Sequence, residues 1–294
     1  MDEHGRFIAL IRESAAAYEP ELPQLPAEWE DLQTPAQKNY RAVLFDVYGT
    51  LFCSAAGDIA AAGHDTGSAA SESLLDKAAG LYEPGLSGGE LRRFFIRKVD
   101  EIHRQLSAYS TSPEVQADEI WLEFLRQRGL SGSGQELALR YELAVNPVCP
   151  MPGADQVIAA LRKTGCVLGI ISNAQFYTPL LFEAFFGGRP EEIGFDRELI
   201  FYSFEYGEAK PSPRMFEAAA GRLMGREINP GDCAFVGNDM LSDIYGAKNS
   251  GFQGVLFAGD KRSLRLHTSD ERLKGLRPDR IIRSLCELGA CRSC

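Results

Sequence analysis

Ala42-Val43-Leu44-Phe45-Asp46-Val47-Tyr48-Gly49-Thr50-Leu51 is an apolar run that stops at a carboxylate, with a Gly-Thr turn a few residues on. The run predicts a strand over 42–46. In an open α/β sheet, ligands bind just outside the carboxyl ends of the strands, so Asp46 stands where chemistry is done. Alone, the same residue would serve equally well to end a strand and shape a turn, because Asp is a common turn residue. Its company decides between the two. A second apolar run, Val167-Leu168-Gly169-Ile170-Ile171, leads into Ser172-Asn173. A third, Ala234-Phe235-Val236, leads into Gly237-Asn238-Asp239-Met240-Leu241-Ser242-Asp243, and Lys210-Pro211 lies between them.

Outward from these segments the chain alternates apolar strands with amphipathic helices, the pattern of a parallel sheet covered on both faces. Strands are predicted near 42–46, 167–171, 199–203, 233–236 and 254–257, and helices near 154–163, 213–223 and 241–250. Gly165 fits the C-cap of the first helix, and Ser212-Pro213 opens the second as an N-cap followed by Pro. Residues 54–149 break the alternation. They begin with small residues and turn helical at Ser87-Gly88-Gly89-Glu90, spelled as a capping box. Leu91, Phe95, Val99, Ile102 and Leu106 then share one helix face, and a second helix is predicted around Ile120-Trp121-Leu122. Residues 1–40 read as an extension, with an amphipathic Phe7-Ile8-Ala9-Leu10-Ile11 expected to pack on the core, a regulatory arm being the alternative, and Pro20, Pro23 and Pro26 that break any long helix.

With 294 residues the chain suits one large domain or a core with an inserted subdomain. A net charge of -10 argues against general binding to nucleic acid or to an anionic membrane. No apolar run approaches the roughly 18 residues of a membrane span. The acidic start Met1-Asp2-Glu3-His4 lacks the basic residues and apolar core of a secretory signal, so a cytoplasmic location is expected. Of seven cysteines, Cys53, Cys166 and Cys233 sit in or beside apolar segments and read as reduced core thiols. The tail Cys286…Cys291-Arg292-Ser293-Cys294 has no second ligand pair or redox context that would give its C-x-x-C a role.

Asp46-Val47-Tyr48-Gly49-Thr50, Ser172-Asn173, Lys210-Pro211 and Gly237-Asn238-Asp239-Met240-Leu241-Ser242-Asp243 resemble, in order, the four motifs of the haloacid dehalogenase superfamily of hydrolases. The resemblance spans about residues 41–258. It implies an α/β fold, a Rossmann-like parallel-sheet core (41–53 and 150–294) with an inserted helical cap (54–149) that excludes water and contacts the substrate. It also implies that Asp46 is the nucleophile and that Lys210 neutralises the transferring group. Ser172, Thr50 and the backbone amide of Asn173 would donate to that group's oxygens. A hard Mg²⁺ ion would be held by Asp46, Asp239 and the backbone carbonyl of Tyr48, with Asn238 and Asp243 in or just behind that shell. The ring of Tyr48 would face the cap.

Tyr48 is the departure. Phosphatases of the family carry a second Asp two residues after the nucleophile as general acid and base, and a phenol with a pKa of about 10 is a poor proton shuttle near neutrality. Tyr at this place resembles the 2-haloacid dehalogenases, whose halide leaving group needs no proton. Dehalogenases, however, need no metal and replace the acid that Asp239 retains here, and they favour a Tyr where this chain has Phe216. The reading is therefore a hydrolase of a small anionic substrate: Mg²⁺-dependent on a phosphomonoester, with a metal-independent 2-haloacid dehalogenase or a catalytically weak binding member as alternatives. Arg92, Arg93, Arg97, Lys98, His103 and Arg104 form a basic cluster in the cap. Interlaced with Asp100 and Glu101 they suit a solvated helix face. Arg97 or a neighbour is the candidate to grip the substrate's anionic group.

Overall fold

The computed structural model describes residues 2–15, 19–33, 39–54 and 69–289. Its strands are β1 (Ala42–Phe45), β2 (Phe52–Ser54), β3 (Val148–Pro150), β4 (Val167–Ser172), β5 (Ile200–Tyr202), β6 (Cys233–Gly237), β7 (Gln253–Phe257) and β8 (Arg280–Ile282). Its first helices are α1 (Glu3–Glu13), α2 (Ala69–Gly80), α3 (Gly88–Leu106), α4 (Ala117–Gln127), α5 (Gly134–Val145) and α6 (Ala154–Lys163). After these come α7 (Thr178–Phe186), the short α8 (Pro190–Ile193) and α9 (Ser203–Tyr206), α10 (Arg214–Met224) and α11 (Gly246–Asn249). Six strands make one parallel sheet in the order β5-β4-β1-β6-β7-β8.

The fold follows from β1. Its four residues are wholly buried, as expected of a strand covered by helices on both faces. Because successive side chains point to opposite faces, Val43 and Phe45 join the cluster that holds Ile158 of α6 and Phe182 of α7. Ala42 and Leu44 join the one that holds Phe216 and Leu223 of α10. Phe45 is level with Ile170 of β4 and Val236 of β6, so Asp46, Ser172 and Gly237 reach the same carboxyl edge. After β1 the chain fills β4 and β5 on one side and returns to β6, β7 and β8 on the other. β1 is thus flanked by the switch in strand order, where α/β sheets open a crevice.

Between β2 and β3, which pair antiparallel, stand α2 to α5, gathered on an apolar cluster of their own around Leu91, Trp121, Phe124 and Leu137. The Ser87–Glu90 capping box is present. Leu91 and Phe95 are buried and Val99 and Ile102 half-buried, but Leu106 is exposed, because α3 outruns its packing there. Phe7 and Ile11 of α1 do bury against the core. Two boundaries differ from the sequence reading. Pro213 itself occupies the N-cap of α10. The helix expected over 241–250 is a π-helical turn, Met240–Tyr245, followed by α11. Gly165 follows the C-cap Thr164. Among the described residues no helix is long and apolar enough to cross a membrane. Cys53, Cys149, Cys166 and Cys233 are free thiols. The small-residue run over 55–68 and the tail thiols Cys291 and Cys294 lie outside the described residues.

Candidate active site

Asp46, one residue past β1, is 6% exposed. Its Oδ1 accepts hydrogen bonds from Ser172 Oγ at 3.0 Å and Lys210 Nζ at 2.7 Å. Lys210 Nζ also donates to Asp243 Oδ1 at 2.6 Å and lies 5.4 Å from the centre of the Phe235 ring. Burial alone would push the ammonium down, but the carboxylates of Asp243 and Asp46 outweigh it and hold the group above its ordinary value. Burial pushes the Asp243 carboxyl up to about 7, with Lys210 opposing and the charges of Asp46 and Asp239 adding to it. Asn173 anchors the lysine from behind, accepting from Lys210 N at 2.6 Å and donating to Lys210 O at 3.3 Å.

The π-helical turn brings the acids of the third apolar segment together. Asp239 caps it, with Oδ1 accepting from Leu241 N at 2.7 Å and Ser242 N at 2.8 Å, while Asp243 Oδ2 accepts from Asp239 N at 3.0 Å. Such turns recur at functional sites because the extra residue re-aims a side chain. Gly237 makes room for it: a Cβ there would lie 2.3 Å from the Asp243 carboxylate. Gly49 serves the same end in the loop after β1, at φ +82°, where a Cβ would lie 2.7 Å from Asn238 Nδ2. Thr50 donates to Asn238 Oδ1 at 3.1 Å, and Asn238 donates to Ser263 O at 2.6 Å. Thr50 and Asn238 therefore tie the two loops together.

Asp46, Tyr48, Lys210, Asp239 and Asp243 line one cavity of about 20 Å³, to which Asn173 and Asn238 also contribute. A space of that size holds about one water-sized sphere. Asp46 and Asp239 line this space beside Tyr48, and their carboxylates with the Tyr48 carbonyl would form an all-oxygen donor set, which suits Mg²⁺, an ion that keeps several of its waters. Among the described residues no three His, Cys, Asp or Glu side chains converge as a metal cluster.

The Tyr48 hydroxyl pairs with Thr178 Oγ1 of α7 at 2.9 Å, and the ring packs in the core cluster that also holds Leu139 and Leu143 of α5. Burial, reinforced by the Glu142 carboxylate, drives the phenol well above its ordinary value. Arg97 is not brought to the site. It is exposed, its guanidinium 5.5 Å from the Phe94 ring centre, because α3 turns Phe95, Val99 and His103 to the interior and Arg97 stands two residues off that face. Other members of the basic cluster are paired on the surface, Arg92 with Glu72 and Lys98 with Glu101 and Glu123.

A larger cavity of about 190 Å³ adjoins the first through Asn173 and Lys210. Phe95, Val99 and His103 line it from α3, and residues 111–115 from the loop that follows. That loop is stitched to the segment before Lys210, with Ala209 N donating to Ser112 O at 2.8 Å and Glu114 N to Gly207 O at 3.1 Å. Gln175 extends the seam, donating to Val115 O at 2.8 Å and accepting from Ala117 N at 2.9 Å. None of these loop residues carries a sequence signal, because pairing distant in the chain brings them together. His267 is likewise new: its Nε2 lies 2.9 Å from Asp239 Oδ2, and this contact raises the imidazole above its ordinary value.

A family model described as haloacid dehalogenase-like hydrolase matches residues 40–251. A glyceraldehyde 3-phosphate phosphatase of Pyrococcus abyssi is 35% identical over 110 residues, 36% of this chain and 42% of the relative. The chain thus spans less than half the length of that curated relative. A ribulose-1,5-bisphosphate 5-phosphatase of Halopiger xanaduensis is 26% identical over 84% of this chain and 97% of its own. Among solved structures, a phosphatase from Thermococcus onnurineus shares the fold at a TM-score of 0.52 and 23% identity, over 84% of this chain and 95% of that one.

Proposed function

The chain belongs to the haloacid dehalogenase-like hydrolases, and from that premise we propose that it is a Mg²⁺-dependent phosphomonoesterase working through an aspartyl phosphate. The observation that carries this is the pairing of Asp239 with Asp46 around a one-ion cavity beside Lys210. Lys210 offsets Asp46 and His267 contacts Asp239, and a cation bound in that cavity would offset the negative charge that remains. Asp46, Asp239 and the Tyr48 carbonyl would hold the ion, which when bound offsets the charge of a phosphate ester and polarises its phosphoryl group. Ser172 and Lys210 both bond Oδ1 of Asp46, fixing the carboxylate so that its other oxygen is the one to attack phosphorus. Lys210 also brings its positive charge to the transferring group, and Asp243 holds that lysine in place.

The substrate class we assign is a small phosphorylated sugar or related alcohol, as the names of the two curated relatives favour. The acidic chain and its free core thiols fit the cytoplasmic setting expected of it. Tyr48 favours a second reading, dehalogenation of a 2-halo acid, in which no proton donor is needed. The test is an assay of p-nitrophenyl phosphate and glyceraldehyde 3-phosphate against rising Mg²⁺, alongside 2-chloropropionate in the presence of a chelator. Phosphate release that requires Mg²⁺ is expected. Halide release under chelation would overturn the phosphatase in favour of the dehalogenase.

A further inference from the structure

An alkoxide is a poor leaving group unless a proton reaches it as the ester bond breaks. At this site the obvious donors are engaged. The Tyr48 hydroxyl is turned to Thr178. Lys210 is held between two carboxylates. In the larger cavity, Glu114 accepts from Val115 N at 2.9 Å, from Gln175 Nε2 at 3.3 Å and from Ser203 Oγ, which keeps it an acceptor. One other titratable side chain faces that cavity, His103, which is half-buried and makes no hydrogen bond among the described residues.

Position points the same way. In phosphoryl transfer the attacking and leaving oxygens lie roughly in line. The larger cavity borders Asn173 and Lys210 of the nucleophile's pocket without including Asp46, so it is the space into which a leaving alcohol extends. His103 follows Phe95 and Val99 at steps of four residues, which puts all three on one face of α3, along that space. Imidazole is the side-chain type that both gives and takes a proton near neutral pH.

We propose that His103 is the general acid and base of this enzyme, a role that rests on the phosphatase reading above. As Asp46 forms its bond to phosphorus, the ester P–O bond breaks and its electron pair stays on the departing oxygen. That oxygen takes a proton from the His103 imidazolium and leaves as the alcohol. The neutral imidazole then takes a proton from the water that attacks the aspartyl phosphate. Phosphate departs, the Asp46 carboxylate is restored, and His103 is an imidazolium again.

The test uses two classes of ester with Mg²⁺ present: p-nitrophenyl phosphate, whose phenolate leaves unaided, and a panel of alkyl phosphates from glycerol phosphate to pentose phosphates. Wild type is expected to cleave both. In single-turnover measurements H103Q is expected to form the aspartyl phosphate about a hundredfold or more slowly from the alkyl esters and only a few-fold more slowly from the aryl ester, the range a positioned acid contributes, while the hydrolysis step common to both slows alike. Equal losses in the first step on both classes, or no loss on either, would overturn the proposal. A wild type that cleaves the aryl ester but no alkyl ester would overturn it too, while leaving the phosphatase reading intact. A wild type that cleaves neither defeats the phosphatase reading and this proposal with it.

Discussion

Lys210 and Arg226 each bridge two acids, in opposite settings. Lys210 sits between Asp46 and Asp243 with all three side chains at most 8% exposed. Arg226, beyond the end of α10, joins Asp196 and Glu198 at the surface, where the guanidinium is 31% and Glu198 70% exposed. At the surface, water replaces any partner that moves away, and such pairs contribute little. Around Lys210 there is no such replacement, so each charge depends on the others, and breaking the set leaves an uncompensated buried ion. The same arrangement of one cation between two acids thus makes a clip in one place and part of the candidate active site in the other.

The largest effect expected is on the chemistry. D46N keeps the shape and one acceptor for Lys210 but is no nucleophile, so kcat should fall by about a thousandfold or more, with the circular dichroism spectrum unchanged. Substantial residual turnover would remove Asp46 from the mechanism. K210M should lower activity as well and in addition reduce unfolding free energy by about 3–5 kcal/mol, because it strands two buried carboxylates. Urea titration measures this, and a loss under about 1 kcal/mol would show that the buried set behaves like the surface one. D239N is milder. Asn still caps the π-helical turn through its oxygen, so the fold should hold while calorimetry shows Mg²⁺ binding weakened by about tenfold or more.

How far the chain could be read in advance follows the same division between local and distant. The strands at 42–45, 167–172 and 233–237 were legible because strands buried on both faces are continuous apolar runs. Asp46, Ser172, Asn173, Asn238 and Asp239 were legible because each stands directly at a strand's end. The π-helical turn was not, since a periodic pattern over 240–249 reads as an α-helix and the close approach of Asp243 to Gly237 has no counterpart in that pattern. The direction of the Tyr48 ring depends on Thr178, 130 residues away. The sequence offers Arg97 or a neighbour from one basic cluster, and the turn of α3 against its neighbours decides that His103 and not Arg97 meets the cavity. His267 reaches Asp239 because Met240 N bonds Arg265 O at 2.8 Å and Arg265 N bonds Asn238 O at 3.0 Å, a pairing without a local signature.

The smallest effect sharpens the comparison from its other side. The hydrogen bond from Arg226 holds the Asp196 carboxyl below its ordinary value, with burial working in the opposite direction. A carboxylate with a lowered folded-state pKa contributes stability that is present above its unfolded value of about 3.9 and is lost as pH falls through the folded value. R226Q removes the donor that lowers it. Because all three groups are partly solvated, the contribution is discounted to about 0.5–1 kcal/mol. Urea midpoints of wild type and R226Q should therefore differ by that small amount at neutral pH. They should begin to converge as the pH falls below about 4 and meet only below the lowered folded-state value, where Asp196 is protonated in both. If R226Q were to destabilise as much as K210M, or if its effect persisted unchanged in acid, burial would not be what separates the two bridges, and the account of why Lys210 holds Asp46 so firmly would fail with it.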